Sequence, residues 1–511
     1  MQRIYIITVL LCAFSLITNA SSKIKPNVLF ITVDDMNWNS IGAYGCDIPD
    51  ITPNIDRLAE SGLRFEHAYV QASNCSPSRS VFQTSRYPHQ SGMRGFFYVD
   101  AGFKTLPELL KENGYTTGVI NKAADSSLSP DFAKYWDVNL KFKDAEKRSA
   151  ASYGQQLEDF FIAVKNAKQP FYCVVNVADP HKPFFNDLKS KKQGFDAFKP
   201  SKIYKEEEVD VPAFLPDAPM VKNEVLNYFN SVKRGDDCVG AILKVLAKSE
   251  YKENTIVIFV SDHGMPLPFA KSSVYPNGIR TPWIVSWPNH IEAGSVNTDN
   301  LISAVDFMPT VLDMSGVKMP SGMEGLSFHK ALQGKAVSSS EYVFGQFDEN
   351  AGGIPRPSRT VLSKKYGYVF NAWATGQYPF KCSADSYATH KYMKAQSASK
   401  PAVKERLEHW VYRSVEELYD YEKDPDALNN LINDPNYQTV AEQLRKELMK
   451  QMQATNDYVL PAFRVRHDKD ALNKWMQEEE QKSIHRSEKL QWKRHKNRSG
   501  ATKGHTQLFL L

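Results

Sequence analysis

Cysteine is scarce: six occur in 511 residues, too few for a fold stapled by disulfides. Cys12 falls in the leading apolar run. Cys46, Cys173, Cys238 and Cys382 allow three pairings that spacing does not separate. Long hydrophobic runs are scarcer still. The run from Ile4 to Ile17 stands alone, and it falls short of the roughly 20 apolar residues that span a bilayer. Arg3 precedes it and Thr18-Asn19-Ala20 closes it with a small-residue cleavage pattern, so residues 1–20 read as a secretory signal peptide. The mature chain is expected to be exported, periplasmic or secreted, without stable membrane insertion. Leu11 before Cys12 is not the small residue that lipid attachment needs. Internal repeats are absent too, which excludes a solenoid or propeller.

A one-sided charge is also missing from most of the chain. The formal balance is +5, but residues 464–511 hold twelve Lys or Arg against six Asp or Glu. The rest is about neutral, and no nucleic-acid partner is expected. The basic tail, residues 464–511, reads as a solvated, partly helical appendage.

What the chain does have is apolar mass. With 42% hydrophobic and 12% aromatic residues, it exceeds the size at which single cores stop growing, so one large domain and a smaller one are expected. Asn27 to Val33 is a continuous, β-branched apolar run, as in a strand buried on both faces of a parallel sheet, and it stops at Asp34-Asp35. The pattern recurs. Thr116 to Ile120 runs into Asn121-Lys122, Pro170 to Ala178 into Asp179-Pro180-His181, and Thr255 to Val260 into Ser261-Asp262-His263-Gly264. Helical patterns lie between, at Thr105 to Lys111 and Val225 to Lys248. An α/β sheet with helices on both faces follows, and such sheets bind ligands beyond the carboxyl ends of their strands. After about residue 335, short strands are expected at Glu341 to Phe347, Arg359 to Leu362 and Tyr366 to Ala372, with one late helix near Thr439 to Thr455. The expected division is 21–335 for a catalytic domain and 336–463 for a C-terminal subdomain.

The most specific string is Cys75-Ser76-Pro77-Ser78-Arg79. Pro77 suits the first turn of a helix, which places Cys75 at a helix N-terminus, where free N–H groups and the dipole favour an anion. Two pairs of candidate metal ligands, Asp34-Asp35 and Asp262-His263, end separate buried strands. Three carboxylates suit a hard cation, whereas His263 is more at home on a transition metal, so the residues leave the metal open.

This string resembles the signature of the type I sulfatases, in which a separate maturation enzyme oxidises the cysteine to formylglycine (3-oxoalanine). Asp34-Asp35 resembles the family's first metal pair, Gly114 to Lys122 its second signature, Asp179-Pro180-His181 its central histidine segment and Ser261 to Gly264 its second metal pair. Lys271, ten residues before Thr281-Pro282, falls where the family keeps a cationic sulfate ligand, and Glu417 to Asp420 before Asp424-Pro425 is similar to its C-terminal turn. The spacing through Pro88 to Met93 is similar to the heparan N-sulfatase (sulfamidase) branch and to marine polysaccharide sulfatases. The likeness runs over roughly residues 26–460. It implies an alkaline-phosphatase-like α/β fold, a large sheet flanked by helices with a smaller C-terminal antiparallel sheet plus helix.

The resemblance further implies a hydrolase of sulfate esters, or of N-sulfate, on a sulfated carbohydrate such as an ulvan-type or heparan-type glycan. Residue 75 becomes the nucleophile. One divalent ion, calcium on this likeness, is held by Asp34, Asp35, Asp262, His263 and the side chain at Cys75. Arg79 orients that side chain, Lys122 and Lys271 clamp the sulfate, and His181 serves the ester oxygen. Three positions depart from the family. Ser85 stands for a glycine and is expected to alter the helix path, Asn121 stands for another glycine, and Ala124 takes the place of a histidine. Asp125 is the nearest substitute for that histidine in sequence, with His181 as the structural alternative. By position alone, Glu349, Asn350, Arg356 and Arg359 are expected to touch sugar. The rival functions are a phosphomonoester or phosphonate hydrolase of the same fold, and a catalytically silent protein that binds sulfated glycans.

Overall fold

The computed structural model describes residues 25–335, 340–490 and 492. The expected signal peptide, residues 1–20, lies outside them. The large sheet contains β1 (Asn27–Asp34), β2 (Leu63–Tyr69), β3 (Thr116–Ile120), β4 (Val138–Leu140), β5 (Phe171–Pro180), β6 (Thr255–Ser261), β7 (Trp283–Ser286) and β8 (Ser295–Ser303), in the order β4-β3-β5-β1-β6-β7-β2-β8. β7 runs antiparallel to both its neighbours; the other pairings are parallel. Every residue of β1, β5 and β6 is buried, which explains their unbroken apolar runs: both faces are covered.

The two-residue side-chain period divides each central strand between two cores. Leu29, Ile31 and Val33 join Cys173 and Val175 on one face, packed with the helices Ala150–Lys165 and Pro219–Lys248. Val28 and Phe30 join Tyr172 and Val174 on the other, with the helices Cys75–Thr84, Leu106–Glu112 and Phe307–Met314. Because β1, β3, β5 and β6 run in one direction, their C-terminal ends meet at one edge of the sheet.

The second sheet is antiparallel, β9 (Val343–Glu349), β10 (Pro355–Leu362), β11 (Tyr366–Asn371) and β12 (Glu416–Asp420), in the order β12-β11-β10-β9. Here the structure corrects several expectations. The segment Glu417 to Asp420 is a strand, not a turn, paired with β11. Two helices, Ala388–Gln396 and Pro401–Tyr412, precede the expected one at Gln438–Ala454. Their periodicity is faint because so few of their side chains are buried: Thr389 and Met393 in one, Trp410 in the other. The tail is not wholly solvated either. Its helix Lys469–Lys489 buries Leu472, Met476, Glu479 and Ser483.

Cys46, Cys75, Cys173, Cys238 and Cys382 are all unpaired, so no disulfide holds the described fold. No described helix is long and apolar enough to cross a membrane. Ser85 does not divert the helix it ends. It takes the left-handed conformation (φ 51°) that a glycine would adopt, and its Oγ donates to the Val305 carbonyl at 2.6 Å.

Candidate active site

The edge where β1, β3, β5 and β6 end gathers the chemistry. Asp34 closes β1 and Asp35 follows it in a left-handed conformation, φ 70°. Its N–H donates to Asp262 Oδ1 at 3.1 Å, across the gap to the end of β6. Ligand atoms of Asp34, Asp35 and Asp262 lie within 4.8 Å of one another, as do those of Asp35, Cys75 and His263, and of Asp34, Cys75 and His181. His263 Nδ1 is held by the Gly264 carbonyl at 3.0 Å, so its Nε2 lone pair faces inward, 3.2 Å from Asp35 Oδ1 and 3.5 Å from Cys75 Sγ. Such outer-shell bonds fix the tautomer of a metal-binding histidine.

Cys75 opens the helix Cys75–Thr84 and is 1% exposed, so it is recessed rather than solvent-facing. The residue before it, Asn74, does not cap the helix. Its side chain is used elsewhere, donating to the Glu349 carbonyl at 3.1 Å and accepting from Ser272 Oγ at 3.1 Å. The first N–H groups therefore keep their affinity for an anion. Burial, with Asp34 close by, pushes the Cys75 thiol up, and a protonated thiol is a poor nucleophile at neutral pH.

Three cations face the three carboxylates, Arg79 and Lys271 buried and Lys122 half-buried. Arg79 contacts Asp262 Oδ2 at 2.8 Å, Asp34 Oδ1 at 3.3 Å and Thr32 Oγ1 at 2.7 Å, and it also donates to Asn176. It organises the carboxylates more than the residue-75 side chain. Lys122 donates to Asp34, and Lys271 to both Asp35 oxygens at 2.7 and 2.9 Å, with Cys75 Sγ 3.7 Å away. Burial would raise Asp34, but Lys122, His181 and Arg79 hold it well below the usual carboxylate range. Asp262 is different: burial and the neighbouring Asp34 push it up despite Arg79. A divalent cation would relieve that repulsion. Three carboxylates and one inward imidazole nitrogen fit such an ion.

Asn121 and Lys122 both take left-handed backbone, φ 64° and 50°. Asparagine tolerates this conformation, and Asn121 anchors it by donating from Nδ2 to the Asn176 carbonyl at 2.9 Å. His181 follows β5, with cis peptide bonds at Asp179–Pro180 and Lys182–Pro183 on either side. Its Nδ1 bonds the Lys182 carbonyl at 2.6 Å, and Nε2 lies 3.9 Å from Asp35 Oδ2. Burial outweighs the pull of Asp35 and Asp34 and takes its pKa down to about 4. Asp125 is buried beside the site, its Oδ1 accepting from Ser76 Oγ at 2.5 Å and its Oδ2 3.9 Å from Lys122 Nζ.

The four residues expected to touch sugar have other partners, and none lines the cleft above Cys75. Glu349 is 0% exposed, paired with Arg94 at 3.3 Å and with Arg486. Asn350 Oδ1 accepts from the N–H groups of Gly352 and Ile354. Arg356 binds Glu480 at 2.8 Å, and Arg359 binds Asp457 at 2.5 Å and Asp348 at 2.9 Å. These charges fix the second sheet and the C-terminal helix.

Other residues with no motif behind them do shape the site. Asn176, within β5, accepts from Thr32 Oγ1 at 2.7 Å and donates to the Asn121 carbonyl at 2.8 Å. Arg148 and Arg234 both hold Asp179, at 2.6 and 2.8 Å, and Arg148 also donates to the His181 carbonyl at 2.7 Å. A polar residue inside an apolar strand was the one available signal, for Asn176.

The family pattern for sulfatases matches residues 26–317, more than half the chain. The chain belongs to the sulfatase family. Its activity is that of a sulfuric ester hydrolase. A second pattern, that of the N-sulphoglucosamine sulphohydrolase C-terminal region, matches residues 262–378. An ulvan-active sulfatase of Formosa agariphila is 28% identical over 440 residues, covering 85% of this chain and 81% of its own. The N-sulphoglucosamine sulphohydrolase of Homo sapiens is 28% identical over 481 residues, covering 87% and 93%. Among solved structures, one in complex with its substrate D-glucosamine-2-N,6-O-disulfate superposes with TM-score 0.63 at 18% identity over 85% of this chain and 99% of the other. A phosphonate monoester hydrolase of Agrobacterium radiobacter reaches 0.59 at 16% identity, over 84% and 96%. These last two likenesses concern the fold alone.

Proposed function

We propose that this sulfatase removes sulfate from a sulfated glycan, with residue 75 matured to formylglycine by a separate enzyme and one divalent cation, calcium, held by Asp34, Asp35, Asp262 and His263. The observation that carries the proposal is that ligand atoms of Asp34, Asp35 and Asp262, and those of Asp35, Cys75 and His263, lie within 4.8 Å of one another in two groups that share Asp35. Relatives named for ulvan and for N-sulphoglucosamine support a polyanionic carbohydrate substrate. The signal-like residues 1–20 support export.

A bound sulfate ester needs its charge neutralised, a nucleophile at sulfur and a proton for the leaving oxygen. The cation supplies charge neutralisation at the sulfate, and the hydrated aldehyde supplies two hydroxyls on one carbon, one for attack and one for release. The chain's own residues do the rest. Arg79 keeps Asp34 and Asp262 facing inward. Lys271 and Lys122, both beside residue 75, turn from Asp35 and Asp34 to the sulfate oxygens. His181 rests neutral, with its proton on Nδ1. The incoming anion favours protonation of Nε2, the form that serves the leaving oxygen.

Mass analysis of the peptide bearing residue 75, alongside turnover of an aryl sulfate and an aryl phosphate, tests this reading. An aldehyde at residue 75 and preferential sulfate release are expected. An unmodified thiol in fully active protein removes the mechanism, and preference for the phosphate favours the rival hydrolase.

A further inference from the structure

The cleft above Cys75 has a volume of about 700 Å³, well inside the roughly 300–1,000 Å³ of small-molecule sites and with room for more than a sulfate group. Cys75, His181 and Lys271 form part of its floor. Its wall includes residues of the helix Leu188–Lys192 and of the helix Ala388–Gln396. Two carboxylates line it, Asp187 and Glu224, and both are consumed. Glu224 takes Lys182 Nζ at 2.6 Å and Thr389 N–H at 2.7 Å. Asp187 takes the Phe184 N–H at 2.9 Å and faces Lys182 at 3.5 Å.

Lys182 is thereby neutralised, whereas two other wall lysines are not. Lys189 and Lys391 are exposed, line the same cleft and have no ion pair among the described residues. They come from separate elements, one from the large domain and one from the second. Unpaired cations on a low-dielectric cleft wall concentrate anions. Lysine suits this task without selecting geometry, because its ammonium is a mobile point charge rather than a planar fork.

We infer that Lys189 and Lys391 form a second anion subsite, which receives a sulfate or carboxylate on the sugar ring next to the one that loses its sulfate. The inference rests on the reading of the chain as a glycan sulfatase, and it adds that the substrate carries charge on adjoining rings. The competing account is two ordinary solvated lysines.

The test compares wild type with the double variant Lys189→Gln/Lys391→Gln on ulvan- or heparan-derived disaccharides in three forms. The neighbouring ring carries a sulfate, a carboxylate or no charge. Wild type is expected to prefer the two charged forms. The double variant is expected to lose roughly three- to tenfold in kcat/KM on those forms, through KM, as befits two exposed charge contacts. The uncharged form is expected to turn over equally in both proteins. Salt should erase the preference, since the screening length falls from about 10 Å at 0.1 M to about 3 Å at 1 M. The relative losses on the sulfate and carboxylate forms tell which anion the subsite takes. Equal loss on all three forms, or no preference in wild type, overturns the subsite. Failure of wild type to release sulfate from any form overturns the underlying glycan-sulfatase reading, and the subsite with it.

Discussion

Glu224, 3% exposed, holds Lys182 Nζ at 2.6 Å while accepting from the backbone N–H groups of Ala388 at 3.1 Å and Thr389 at 2.7 Å. One carboxylate on the long helix Pro219–Lys248 thus anchors both the residue after His181 and the first turn of a second-domain helix. Since the Lys182 carbonyl bonds His181 Nδ1, Glu224 is tied through Lys182 to the placement of His181.

Glu224→Gln is expected to slow a sugar sulfate by about ten- to a hundredfold, while an aryl sulfate with an acidic phenol, which leaves without a proton, changes little. Rates across a series of aryl sulfates of rising phenol pKa measure this. Equal loss on every leaving group would reduce Glu224 to a structural tie. Burial raises its pKa, but Lys182 more than offsets this and holds Glu224 below its ordinary value of 4.5. A depressed carboxylate stabilises the fold above its unfolded pKa. The Tm advantage of wild type over Glu224→Gln should therefore be full above about pH 5 and fade as acid protonates the group.

Cys75→Ala is expected to lower turnover by more than about 10³-fold while leaving the melting temperature close to that of wild type, since one small side chain is exchanged for another. Retention of most activity would sink the assignment of residue 75 as nucleophile.

Chelation should inactivate the enzyme reversibly, with recovery on adding calcium. Asp34→Asn and Asp262→Asn should each need more cation for the same recovery, because each removes one carboxylate from the set. Full activity in metal-free protein would contradict the site.

Asp125→Asn tests what replaces the histidine absent at Ala124. We expect a burst of alcohol product followed by turnover slowed about 10²-fold, with sulfate retained on residue 75, because Asp125 reaches Ser76 beside residue 75 and is the nearest carboxylate in sequence to Ala124. An unchanged steady-state rate without a burst would leave His181 as the group that takes the proton.

Arg359→Ala should destabilise the protein by about 3–5 kcal/mol, because it strands the buried Asp457 and Asp348 carboxylates. The KM of the remaining folded enzyme should stay near wild type. A raised KM with an unchanged Tm would restore Arg359 as a sugar contact.

The sequence by itself determined the parallel centre of the large sheet, because strands covered on both faces must be apolar throughout, and β1, β3, β5 and β6 fall within a few residues of their expected limits. It also marked which polar residues stand at the strand ends, and the Cys75 string marked a helix start. Only the tertiary structure decided what those groups touch. Asn176, Arg148 and Glu224 act through partners tens to hundreds of residues away, and no local period or motif encodes such contacts. Arg359 shows the converse. Its place at the opening of the second domain suggested a sugar contact, but it is buried between Asp348 and Asp457 and paired with both. The helices Ala388–Gln396 and Pro401–Tyr412 are not legible in the sequence for a related reason: with so few of their residues buried, no apolar stripe marks them.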